Sequence, residues 1–179
     1  LTLTVNTAPI IVLNGGNSVC ELSSINLSAS SANAYGGIWS TNNGLGSFAP
    51  NVSNASLSYT PSLNDPSTVN FAYTAFNQCG TSVANTSISV LNSPTLNAGV
   101  DQTICAGNNV TLNATSNAPL TWNNNVTNGV PFAALVGVNT YTATATSANG
   151  CSVSDQVIIT GLDRKSTRLN SSHLVISYA

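Results

Sequence analysis

The chain has 179 residues, 42% of them apolar and only 4% charged, with a formal net charge of -2. Soluble domains usually carry about 25% Asp, Glu, Lys and Arg; here neutral polar side chains replace them, and Asn, Ser and Thr make up 66 of the first 162 residues. Those 162 residues contain no Lys, Arg or His, which excludes a cationic surface for nucleic acid or anionic lipid and removes the usual bases of nucleophilic catalysis. No apolar run approaches the ~20 residues of a membrane-spanning helix, so no membrane insertion is expected.

In chain order, the opening LTLTVN reads as a β-strand, and it matches the segments TSISVL (86–91) and QVIITG (156–161). It reads as the last strand of a preceding repeat, residues 1–7. Pro9 and Cys20 then recur as Pro94 and Cys105, 85 residues on, and Ile25, Leu27, Ala29 recur as Val110, Leu112, Ala114. A tryptophan follows in both copies, Trp39 and Trp122, and then a strand with one apolar face. In the first copy Val69, Phe71, Tyr73 and Ala75 alternate with polar or small residues; in the second, Tyr141, Ala143 and Ala145 alternate with threonines. Asn-Gly pairs at 43–44, 128–129 and 149–150 supply residues that tight hairpins need. Each copy closes with a second cysteine, Cys79 or Cys151, and a final strand. The pattern predicts an all-β chain of two tandem β-sandwich domains, residues 8–91 and 92–162, divided at Leu91–Pro94 where proline forces an extended backbone.

The four cysteines have no C-x-x-C spacing, and each repeat holds one separated pair. Disulfides are expected rather than zinc: Cys20 with Cys79, and Cys105 with Cys151, each stapling one end of a sandwich. Such bridges place the chain outside a reducing cytoplasm. Asp101 and Asp155 flank the second pair and are candidate ligands for a weak calcium site, although hydrogen bonds to local backbone amides are the simpler expectation. Trp39 and Trp122 are expected to anchor the cores; exposed, they would be stacking platforms for sugar rings. No catalytic residue, metal site or cofactor is expected.

The segments NAGVDQTICAGNNVTLNATS (97–116), TWNNNVTNGVPF (121–132) and TYTATATSANGCSVSDQVIIT (140–160) resemble the PKD-like and Ig-like repeats of type IX-secreted, adhesin-like surface proteins of Bacteroidota. Residues 8–91, with IWSTNNGLGSFAP (38–50), resemble a longer and more divergent member. The resemblance implies a non-catalytic extracellular module with a structural or adhesive role in a stalk. Its partners would be neighbouring repeats, with a surface glycan or protein as the ligand class left open. The alternatives are a carbohydrate-binding module or an accessory domain of a secreted hydrolase. Residues 163–179 resemble something else, the translation of a common short-read sequencing adapter. Asp163–His173 and Ile176–Ala179 follow its codons, with Leu174 and Val175 in the index position. This segment supplies every cation of the chain and is set apart from the fold. Truncation at Leu162 should leave the thermal midpoint unchanged in a calorimetric scan.

Overall fold

The computed structural model describes residues 7–163, and these form two units in which the described secondary structure is β-strands and the turns between them. Apart from Thr7 and Asp163, the expected terminal strand 1–7 and the adapter-like tail 163–179 lie outside the described residues.

The first unit contains the described residues from Thr7 to Pro94 together with Ser147–Ser152. Its strands are β1 (Ile10–Gly15), β2 (Ser18–Cys20), β3 (Ile25–Ala32), β4 (Gly36–Thr41), β5 (Ser47–Ala49), β6 (Ser56–Thr60), β7 (Thr68–Asn77) and β8 (Gly80–Leu91). One sheet has the order β1-β3-β6-β5 and the other β2-β8-β7-β4. The short β2 runs parallel to the end of β8, with Cys20 opposite Leu91; the other ladders of this unit are antiparallel. These orders are the A-B-E-D and A′-G-F-C sheets of an immunoglobulin-like sandwich. Period-2 patterning produces it directly: Val69, Phe71, Tyr73 and Ala75 of β7 point inward, at most 3% exposed, while their neighbours face outward. Ile25, Leu27 and Ala29 of β3 close the core from the opposite sheet. Tyr59 packs edge-on against Phe71 at 4.9 Å between ring centroids, and Trp39 lies 5.1 Å from Tyr73. Gly37 of β4 has no side chain because the Tyr73 ring occupies the space a Cβ would take.

The second unit contains Thr95–Thr146 and the described residues from Val153 to Asp163. Its strands are β9 (Leu96–Asn97), β10 (Gln102–Cys105), β11 (Asn109–Val110), β12 (Thr115–Ser116), β13 (Leu120–Trp122), β14 (Phe132–Ala133), β15 (Gly137–Thr146) and β16 (Ser152–Leu162). The order β10-β16-β15-β13 repeats the A′-G-F-C sheet, with β10 parallel to β16 and Cys105 opposite Leu162. Opposite it stand, among the described residues, two short ladders, β9 with β12 and β11 with β14. Val110, Leu112 and Ala114 are buried, as their counterparts are in the first repeat, with Trp122, Tyr141, Val157 and Ile159. Both cores are therefore sandwich interiors, the second smaller and thinner on one side.

Two of the three Asn-Gly pairs do not make hairpins. Asn43–Gly44 lies between β4 and β5, and Asn128–Gly129 between β13 and β14, pairs of strands that are not hydrogen-bonded neighbours. In both, the asparagine side chain bonds to backbone instead. Asn43 accepts from the Asn70 N–H and donates to the Thr68 carbonyl, at 3.0 and 2.9 Å. A carboxamide carries the same donor and acceptor as a peptide group, so it can extend a ladder where the chain itself turns away. Only Asn149–Gly150 sits at a hairpin tip, with Gly150 at φ 88° between β15 and β16.

Candidate functional site

The four cysteines lie where the strand pattern puts them, but not in the expected pairs. Cys20 ends β2 beside Leu91, the last residue of β8, whereas Cys79 stands just before β8 begins at Gly80. Twelve residues of extended strand separate these points, about 40 Å at ~3.3 Å per residue. In the second repeat Cys105 ends β10 beside Leu162, and Cys151 immediately precedes β16, again more than 30 Å away by the same rise. A disulfide needs Cα atoms within about 7 Å. The two cysteines of one repeat therefore occupy opposite poles of its sandwich, and the expected Cys20–Cys79 and Cys105–Cys151 bridges do not form. Cys20 is instead bonded to Cys151, with Cα atoms 5.8 Å apart and 131 residues between them in sequence. Cys105 is exposed, and so is Cys79 at the tip of the β7–β8 hairpin.

The bonded pair sits in a cluster built from the first unit's own segments. The Glu21 N–H donates to the Leu91 carbonyl at 3.0 Å, and the Glu21 carboxylate accepts from the Ser93 N–H at 3.1 Å. The Cys151 sulfur lies 3.8 Å from the Leu91 carbonyl oxygen, and the Asn149 amide donates to the Asn92 carbonyl at 3.0 Å. Cys151 is 1% exposed. Spacing within each repeat could not reveal this arrangement; the parallel β2–β8 and β10–β16 pairings decide it.

Both tryptophans are core residues, Trp39 at 1% and Trp122 at 8% exposure. Their indole N–H groups are used inside: Trp39 donates to the Ala55 carbonyl at 3.4 Å and Trp122 to Asn128 Oδ1 at 3.0 Å. Neither offers a face to a sugar. Asp101 and Asp155 act on backbone amides. Asp101 accepts from Ile158 N–H at 2.8 Å, and Asp155 accepts from Ala98 and Gln156, both at 2.8 Å. These amide hydrogen bonds, from Ala98 first and then Gln156, hold the Asp155 carboxyl below its ordinary pKa. Among the described residues no group of three or more His, Cys, Asp and Glu side chains converges to hold a metal ion.

Asp65 is a carboxylate with a side-chain partner that sequence reading missed. It accepts from the buried Tyr59 hydroxyl at 2.6 Å, from Ser62 N–H at 3.0 Å, and from Leu45 N–H. Burial, followed by the hydrogen bond to Asp65, pushes the Tyr59 phenol up to about 12. Outside the core, the outer face of β4, β7 and β8 carries a shallow groove of about 510 Å³ lined by neutral groups including Ser40, Asn70, Asn85 and Ser87. It can exchange hydrogen bonds, but it holds no acid or base.

No family model matches the sequence, and no curated protein matches it. Solved structures do. The chain is similar to the titin domains Z1Z2 in complex with telethonin at 13% identity and a TM-score of 0.36, over 90% of this chain and 100% of that one. It is similar to Sidekick-1 immunoglobulin domains 1–5 at 15% identity and 0.37, over 88% of this chain and 40% of that one. The fibronectin(III)-like modules of Clostridium thermocellum CbhA match at 13% and 0.35, over 92% of this chain and 98% of theirs. Among the described residues no helix is long and apolar enough to cross a membrane.

Proposed function

We propose that the chain is a non-catalytic spacer segment of an extracellular multidomain stalk, the role carried by the type IX-secreted surface repeats it resembles. The observation that supports this reading is the path of the chain through each sandwich. In the first, the Thr7 carbonyl accepts from Asn77 at the β7–β8 hairpin, at 2.8 Å, and the chain leaves at Leu91, the far end of β8. In the second, Ala98 N–H meets Asp155 near the start of β16, and Cys105 pairs with Leu162 at its end. A domain entered at one pole and left at the other lengthens a chain by its full height, roughly 30–40 Å of strand. Modules whose work is reach need this and no convergent reactive groups.

The sugar-stacking alternative loses its tryptophan platforms, since both tryptophans are buried. What remains for it is the neutral groove on β4, β7 and β8 and the exposed aromatic side chains of Tyr35 and Phe76, whose backbones are joined by a hydrogen bond of 2.9 Å. Two measurements test the spacer reading. Impermeant biotinylation of the producing cells should label the full-length protein from outside, and a glycan array should give no saturable binding. A cytoplasmic location would overturn the reading. Saturable glycan binding that Asn85→Ala or Tyr35→Ala abolishes would replace it with a carbohydrate-binding one.

A further inference from the structure

We propose that Cys105 is the attachment point for a disulfide to the hairpin-tip cysteine of a further module of the same type, repeating the Cys20–Cys151 bond one repeat along the chain. This rests on the spacer reading only in requiring that another module follow.

Cys20 and Cys105 have the same local structure, bond for bond. Each is the last residue of a short strand running parallel to the final strand of its repeat, opposite that strand's terminal leucine, Leu91 or Leu162. The next N–H donates to the leucine carbonyl, Glu21 at 3.0 Å and Ala106 at 2.9 Å. Two residues beyond each cysteine the backbone takes a positive φ, 61° at Leu22 and 82° at Gly107. Three residues beyond, an N–H returns to the cysteine carbonyl at 3.1 Å in both, from Ser23 and from Asn108. The acceptors of the bond match too. Cys151 N–H donates to Asn149 Oδ1 at 3.1 Å and Cys79 N–H to Asn77 Oδ1 at 2.8 Å, so each repeat presents an Asn-x-Cys tip at its β-hairpin.

Of the two equivalent strand-end positions, one is bonded to such a tip and the other, Cys105, is exposed. Partners within its own repeat are excluded by the length of β16. A position built identically, whose counterpart holds a hairpin-tip sulfur, is a site for another one. The chemistry is thiol–disulfide exchange with a small disulfide such as oxidised glutathione. The Cys105 thiolate attacks one sulfur of the oxidant and releases a thiolate, forming a mixed disulfide. The tip thiolate then attacks the Cys105 sulfur and releases the second. Two protein thiols are oxidised to one disulfide, the oxidant is reduced to two small thiols, and the two protein protons end on them.

The test uses two extended chains, joined at Leu162. One carries a further copy of residues 92–162 with Cys105→Ser and Ser152→Ala in that copy, and the other a further copy of residues 8–91 with Cys20→Ser and Thr81→Ala in that copy. Each therefore supplies a folded Asn-x-Cys hairpin from a different repeat whose peptide differs in mass from the parent's, and every Cys105 peptide comes from the parent repeat. Both are oxidised with glutathione disulfide, alkylated, cut with chymotrypsin and mapped by mass spectrometry without reduction. In the chain of 179 residues Cys105 should be alkylated. In the extended chains its alkylation should be lost, and its peptide should appear linked to the appended hairpin peptide; serine in place of the appended tip cysteine should restore alkylation. Cys105 alkylated in both extended chains, or found linked to Cys151, overturns the proposal. Either result leaves the surface-labelling and glycan measurements of the spacer reading unaffected.

Discussion

The two repeats solve one packing problem with different atoms. In the first, the Ala29 N–H and the Trp39 indole N–H both donate to a single backbone carbonyl, that of Ala55, at 2.8 and 3.4 Å. In the second, the equivalent Ala114 N–H and Trp122 indole donate to a single side-chain oxygen, Asn128 Oδ1, at 2.8 and 3.0 Å. The Asn128 amide nitrogen completes the pair by donating to the Ala114 carbonyl at 3.1 Å. The longer repeat has chain enough for β5 and β6 and closes the site with backbone. The shorter one has no such strands among its described residues and substitutes a carboxamide for a peptide group. This gives an Asn-rich, charge-poor composition a structural reason, because asparagine can stand in for missing ladder partners without introducing charge. Among the described residues no buried side-chain polar atom lacks a hydrogen-bond partner.

The largest expected effect concerns the bond that joins Cys20 to Cys151. The loop it closes spans 131 residues, for which the chain-entropy model gives roughly 5 kcal/mol, with measured disulfides commonly at about 2–4. Cys20→Ser should lower the unfolding free energy in urea by about 2–4 kcal/mol, while Cys105→Ser should leave it unchanged. Equal effects of the two variants would show that the cysteines are not distinguished in this way.

The next effect separates the repeats directly. Asn128→Ala strips the shared acceptor from two N–H groups and should cost about 2–3 kcal/mol, read by tryptophan fluorescence during urea unfolding. Asn128→Asp keeps the acceptor but turns the donor facing the Ala114 carbonyl into a second acceptor, an O···O repulsion, and should cost about 1–2 kcal/mol. Ala55→Ser should be neutral, because its carbonyl belongs to the backbone. A large loss there would mean that the two sites are not equivalent.

Close packing gives effects of similar or smaller size. Gly37→Ala drives a methyl group into the Tyr73 ring, and Gly161→Ala drives one into the Leu135 carbonyl; each should cost about 1–3 kcal/mol. Gly161 has no flexible neighbour to yield, so its variant should be the worse of the two in thermal unfolding.

The smallest effects are pH-dependent and fall on opposite sides of neutrality. The Tyr59 phenol is raised in the fold to about 12, so its contribution is complete below about pH 10 and is lost as pH rises from about 10 to 12. Tyr59→Phe should flatten that alkaline limb of the stability curve. The Asp155 carboxyl is lowered in the fold, so its contribution is present above about pH 4 and is lost as pH falls through the folded value. Asp155→Asn should flatten the acid limb. Swapped assignments, with acid sensitivity following Tyr59, would contradict the hydrogen bonding described for both groups.

By itself the sequence determined the fold class, the two repeats and most of the buried faces. The triplets Ile25-Leu27-Ala29 and Val110-Leu112-Ala114, the β7 and β15 alternations and both tryptophans are legible because burial in a sheet has a period of two and needs no knowledge of distant partners. Only the tertiary structure decided which strand lies beside which. The parallel pairing of β2 with the end of β8, and of β10 with the end of β16, puts the cysteines of each repeat at opposite poles, a result that depends on the height of the sandwich rather than on spacing along the chain. The same holds for Asn43 and Asn128, which read locally as turn residues. Their amides act as strand partners because backbone groups more than ten residues away in sequence are left open beside them, and local propensity carries no information about such distant vacancies.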